Sequence, residues 1–165
     1  MKYDKLALFA AAGFLLAGCT TPAPTYRFAS ASATDPEISF ESDFELHTRF
    51  AVNTKEPEGQ MCSNFDTVGY LLKANSIFIY DRPNTTIVIK APPNKPIAVS
   101  AHHFYSDPGY RANCGPLTQM FTPFEGKKYV AKLNLVDKLC YLSVASVEPG
   151  GERTPVSSRI VGRCY

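Results

Sequence analysis

Polar and apolar positions divide the chain into three stretches. Lys2 and Lys5 precede eleven residues, Leu6 to Leu16, that are all apolar or glycine, and the run ends in the small residues Ala17 and Gly18 before Cys19. A basic start, an apolar run and a small-residue site are the three parts of an export signal, which assigns residues 1–18 to a signal peptide. A membrane span needs about 20 apolar residues, so this run is too short to remain as one. From Thr20 to Pro36 the sequence TTPAPTYRFASASATDP lacks the apolar density that would offset its ordering entropy. Residues 19–36 are therefore expected to form a flexible tether reaching up to about 50 Å when extended, and residues 37–165 the folded domain.

Within the domain the period is two. Phe44, Leu46, Thr48 and Phe50 alternate with Glu45, His47 and Arg49, which predicts a half-buried antiparallel strand over 44–50. Further strands are expected at Val68 to Leu72, Ser76 to Tyr80, Thr85 to Ala91, Ile97 to Tyr105, Leu117 to Thr122, Lys128 to Val136, Leu139 to Val147 and near Val156 to Cys164. The separators carry proline, which fixes φ and lacks the donor a ladder needs: Asp81-Arg82-Pro83-Asn84, Pro92-Pro93-Asn94-Lys95-Pro96, and a long loop from Ser106 to Pro116. Met61 to Lys73 is the least patterned stretch and also admits a helical turn. Eight or so short strands with turn signals between them predict an all-β antiparallel sandwich.

The residues Leu16-Ala17-Gly18-Cys19 also carry a resemblance to a known class, because they match the lipobox of bacterial lipoproteins. In that class the cysteine bears a thioether-linked diacylglycerol, cleavage falls just before it, and the new amino group is acylated. Several acyl chains on one residue make a stable membrane anchor, since each buried methylene contributes about 0.8 kcal/mol. Thr20 follows the cysteine where inner-membrane members of the class commonly carry Asp. The resemblance thus implies a lipid anchor at Cys19 in the outer membrane, with the domain facing the periplasm.

Composition fits that address. Removing Lys2, Lys5 and Asp4 with the signal leaves 15 basic and 14 acidic residues, so no charge field recruits nucleic acid. With Cys19 assigned to lipid, Cys62, Cys114, Cys140 and Cys164 remain, an even number that suits two disulfides in an oxidising compartment. Zinc is the competing use of these four, but no pair has Cys-x-x-Cys spacing. Spacing leaves three connectivities open.

Phe121-Thr122-Pro123-Phe124-Glu125-Gly126-Lys127-Lys128-Tyr129 suits either a plain hairpin or a corner between sheets. It resembles the tyrosine corner of immunoglobulin-like and transthyretin-like sandwiches, in which a Tyr hydroxyl bonds backbone across the turn. That resemblance implies that Cys114 and Cys140 meet at one end of the sandwich, leaving Cys62 for Cys164. A further likeness, from Val68-Gly69-Tyr70 through Ile87 to Val99, is to the layout of PEGA-type domains of bacterial surface proteins, with Pro-Pro-Asn-Lys-Pro in place of the usual turn.

Candidate chemistry is sparse. His102 and His103 are adjacent, and on a strand adjacent side chains point to opposite faces, so the two cannot share a ligand set without a bulge. One of them with His47 and Asp107 would be needed for a small metal-dependent protein, the third reading. There is no Gly-x-Ser-x-Gly elbow, Ser100 and Ser106 sit in no triad pattern, and Glu125 and Asp137 lie beside lysines in expected turns. No catalytic residue, metal or cofactor is assigned, and the chain is expected not to be an enzyme. Binding has more support: Tyr105, Tyr110 and Arg111 in the expected loop are the residue types of interface hot spots and of sugar stacking. The leading expectation is a structural or protein-interaction module of the cell envelope, with a carbohydrate or peptidoglycan binder as the alternative.

Overall fold

A computed structural model describes residues 25–30, 32–45, 47–55, 64–72, 84–107 and 110–162, with backbone alone at 105–107, 110–112 and 162. Ten strands lie among them: β1 Glu37–Ser42, β2 Thr48–Asn53, β3 Asp66–Leu71, β4 Ile87–Lys90, β5 Ile97–Asp107, β6 Tyr110–Phe121, β7 Lys128–Val136, β8 Leu139–Val147, β9 Arg153–Pro155 and β10 Arg159–Gly162. They form two five-stranded sheets, a first in the order β4-β1-β7-β8-β9 and a second in the order β10-β6-β5-β2-β3. Every pairing is antiparallel except β1 with β7, which run parallel from Glu37↔Lys128 to Ser42↔Leu133. The expected all-β antiparallel sandwich is what the chain adopts.

The alternation read from sequence selects the inward faces. Ile38 and Phe40 of β1, Phe50 and Val52 of β2, Ile97 and Val99 of β5 and Leu133 of β7 are buried in one core. Phe40 and Phe50 join the sheets with ring centroids 5.0 Å apart. The other face of the second sheet is shielded too at its centre, where Ala51, Ala98, Ser100 and Thr118 are buried.

Strands β7 and β8 fall where the pattern put them. Asp137 and Lys138 between them take φ of 50° and 65°, the left-handed pair that closes a two-residue hairpin with the twist of its strands. The β6–β7 connection is a corner and not a hairpin, since the two strands belong to different sheets. The Tyr129 hydroxyl accepts a hydrogen bond from the Phe124 N–H at 2.9 Å, and Gly126, at φ 73°, donates its N–H to Thr34 O. This is the tyrosine-corner arrangement that the sequence resembled.

Several expectations differ from the structure. The strand expected at 44–50 begins only at Thr48. The Ser42 hydroxyl accepts from the Phe44 N–H and bonds the Thr48 hydroxyl at 2.8 Å, while His47 takes φ 29°, so the chain leaves β1 in a turn at Ser42 to Phe44. The preceding strand β1 was not expected; its short Ile38-Ser39-Phe40 alternation abuts the Ser/Ala/Pro-rich stretch. The expected loop 106–116 is mostly strand, because Tyr110 onward pairs with β5 in register Asp107↔Tyr110, Ser106↔Arg111 and Tyr105↔Ala112. Cys114-Gly115-Pro116 forms a bulge inside β6, not a loop end. The register steps from Ala101↔Leu117 to His103↔Cys114, and Gly115 at φ 107° lets Ala101 O approach to 2.5 Å of where a Cβ would stand. Finally, the last strand expected near Val156 to Cys164 is present as β10, and an unexpected short strand, β9, precedes it on the other sheet. The expected strand 76–80 and Cys62 and Cys164 lie outside the described residues.

The segment expected as tether lies against the domain from Thr25 onward. Thr25 bridges Thr67, and the Tyr26 hydroxyl donates to Lys90 O at 2.9 Å. Burial, and then the nearby Asp66 charge, push the Tyr26 hydroxyl up to about 12. Asp35 is buried and accepts from the Ser30 hydroxyl and the Ser32 N–H. At the start of β1, the Lys90 ammonium, 3.1 Å away, and then Lys128 hold the Glu37 carboxyl below its usual range. Polar clasps of this kind order a segment that has little apolar surface to bury.

Candidate interaction surface

One end of the sandwich gathers most of the residues that sequence reading nominated. Cys114 on β6 faces His103 across the β5–β6 ladder, and Cys140 on β8 faces Leu135 across the β7–β8 ladder. The two cysteines are disulfide-bonded with Cα atoms 5.9 Å apart, so a covalent bond ties the second sheet to the first at this end. It is the pairing implied by the corner resemblance.

The adjacent histidines separate as the strand period requires. His103 is buried, its ring stacked on Phe44 at a centroid distance of 3.9 Å, which makes it a packing residue of the sandwich end. His102 faces outward, with Nε2 2.8 Å from Asn113 Oδ1 and its ring tilted against Phe104 at 5.5 Å. His47 also stacks on the exposed Phe104 ring, at 6.1 Å. Across the outer face, His102 lies opposite Arg49 and Arg49 opposite Tyr70; the Arg49 guanidinium donates to the Thr67 hydroxyl at 2.8 Å. His47 and His102 thus meet around an aromatic ring, not around carboxylates. Among the described residues no group of three or more His, Cys, Asp or Glu is placed to hold a metal ion.

Tyr105, Tyr110 and Arg111 lie at the tip of the β5–β6 hairpin, on the same end, in ladder positions; their side chains lie outside the described residues. Hairpin strands bring them to the disulfide end together, where a loop would have left their relative places open. Ser100 is buried mid-strand opposite Thr118, and Glu125 accepts from the Thr34 hydroxyl at the corner, far from either histidine.

Sequence reasoning missed an exposed apolar feature. The β7–β8 tip presents Leu139 at 72 % exposure, Val136 at 49 %, Tyr141 at 47 % and Leu135 at 44 %. Val136 and Leu139 face each other directly, next to the Asp137–Lys138 turn. The tip is held stiffly: Asn134 Nδ2 donates to Lys132 O and Ser143 Oγ, the Leu135 N–H donates to Asp43, and Lys132 pairs with Asp43 at 2.7 Å. Cys140 of the disulfide sits between Leu139 and Tyr141. The available signal was Leu135-Val136, two consecutive apolar residues where a polar one was due before a turn.

A contiguous apolar tip that the fold does not cover, on a backbone held by a disulfide and side-chain clamps, has the chemistry of a docking surface. The pre-set backbone lowers the ordering cost of association. Comparison with protein-family models, curated proteins and solved structures finds no match to the chain.

Proposed function

We propose that the chain is a lipid-anchored interaction module of the bacterial cell envelope, held in the outer membrane through Cys19 and docking an envelope protein with its disulfide end. The observation that carries the docking half is the exposed apolar outer face of the tip, Val136, Leu139 and Tyr141, on the hairpin that carries the Cys114–Cys140 bond. The lipid half rests on the sequence Leu16-Ala17-Gly18-Cys19 behind a basic and apolar start.

Docking of the chain from Thr25 sharpens the geometry of this proposal. Only five residues lie between Cys19 and Thr25, a contour of about 20 Å at full extension. The domain is then kept close to the bilayer, and its partner is one that lies at or near the same membrane.

Two substitutions test the two halves separately. Cys19→Ala is expected to move the protein from the membrane to the soluble fraction; unchanged membrane association contradicts the anchor. Leu139→Glu is expected to leave the anchor and the fold intact and to abolish co-purification with a stoichiometric membrane partner. Retention on peptidoglycan that is lost on mutation of Tyr105, Tyr110 and Arg111, and kept in Leu139→Glu, favours the glycan reading instead.

A further inference from the structure

The opposite end of the sandwich, remote from the apolar tip, holds a cleft of about 590 Å³ between the two sheets. Its floor is the tilted pair Phe121 and Tyr129, with centroids 5.2 Å apart, and Val156 closes one side where the chain crosses from β9 to β10. Its mouth carries Phe124, exposed on the corner, and two cations, Lys127 and Arg159. The volume falls within the roughly 300–1,000 Å³ of small-molecule sites, and an apolar floor with few polar groups at the rim is their usual make-up.

Charge around the rim is uneven. Lys127 is paired with Glu148 at 3.2 Å, whereas Arg159 has no carboxylate partner among the described residues. The Tyr129 hydroxyl is engaged by the Phe124 N–H, and the Ser158 hydroxyl donates to Gln119 Oε1. Arg159 is thus the group at the mouth left to meet an incoming ligand, and a guanidinium offers a carboxylate two parallel hydrogen bonds.

We infer that this cleft binds a carboxylate with an apolar or aromatic body, the body lying on Phe121, Tyr129 and Val156 and the carboxylate on Arg159. Such a ligand is either a free acid or the last residue of a peptide chain, which present the same chemistry to the cleft. The inference is independent of the docking end and of the lipid anchor.

Isothermal titration calorimetry on the full-length protein, with N-acetylphenylalanine and its amide as probes, tests it. The acid is expected to bind saturably and the amide at least tenfold more weakly. Arg159→Gln, at an exposed position, is expected to reduce acid binding at least tenfold with an unchanged melting temperature. Val156→Trp, which fills the cleft from its side, is expected to abolish binding. A pentapeptide ending in phenylalanine separates the sources: tighter binding than N-acetylphenylalanine assigns the cleft to chain ends, and equal or weaker binding to small acids. Absence of saturable binding, equal binding of acid and amide, or wild-type binding by Arg159→Gln overturns the inference.

Discussion

Replacing both Cys114 and Cys140 by Ala removes the covalent tie between the sheets, and its cost follows from the length of chain it encloses. The two residues are separated by 26 positions, so the bond closes a loop whose entropy in the unfolded chain corresponds to about 3.5 kcal/mol at 25 °C. Removing the sulfur atoms adds to this loss, since Cys114 is buried in the core and Cys140 packs against it. For a domain of this size, with an unfolding entropy of roughly 2.1 cal/mol/K per residue, that energy corresponds to a fall in Tm of about 12 °C. Urea unfolding followed by far-UV circular dichroism, on the oxidised protein and the double variant, gives the difference directly. The m-value is expected to rise as well, because an unbridged denatured chain exposes more surface. A loss below about 1 kcal/mol with an unchanged m-value would refute the assignment of a constraining bond between β6 and β8.

Gly115→Ala is expected to cost about 2 kcal/mol or more, measured by the same urea titration, because its Cβ would stand 2.5 Å from Ala101 O and 2.9 Å from Leu117 N at a φ of 107°. Tyr26→Phe bears on the docked N-terminal segment. The Tyr26 hydroxyl titrates near 12 in the folded protein against about 10 unfolded, so the folded state holds the proton longer and this group makes stability fall as pH rises from about 10 to 12. The variant should lose that part of the alkaline decline, seen as a smaller drop in urea midpoint over that range; an identical decline in the two proteins would place Tyr26 in solvent.

Much of the architecture was legible in the sequence because it is written in local terms. Lys128 to Val147 alternates cleanly around Asp137–Lys138, and the hairpin appears with the expected bounds. The Pro-Gly-Tyr order of the corner is likewise local, and with it came the one cysteine pairing that the described residues contain. Features that depend on distant partners were not legible. Strand β1 gains its place from β4 and β7, which lie some fifty and ninety residues away, and its six alternating positions carry no such information. Gly115-Pro116 reads as the end of a loop, whereas it forms a bulge within a strand. Docking of Thr25 to Pro36 depends on hydrogen bonds to Thr67, Lys90 and Gly126, which composition does not reveal.

The site was half legible for the same reason. Opposite faces for His102 and His103 follow from strand period alone, but the packing role of His103 depends on Phe44 leaving its expected strand. The apolar tip escaped notice because alternation says which side a residue faces and not what covers that side. Leu139 and Tyr141 share an outer face with Val136, and no described element lies over them.

The central claim is that this tip meets a partner in the envelope. A photo-activatable residue placed at Leu139 of the full-length protein in living cells is expected to yield one discrete cross-linked adduct. The same residue at Val88, which is exposed on the edge strand β4 and belongs to neither the tip nor the cleft, is expected to yield none. No adduct from Leu139, or the same adducts from both positions, would contradict the account.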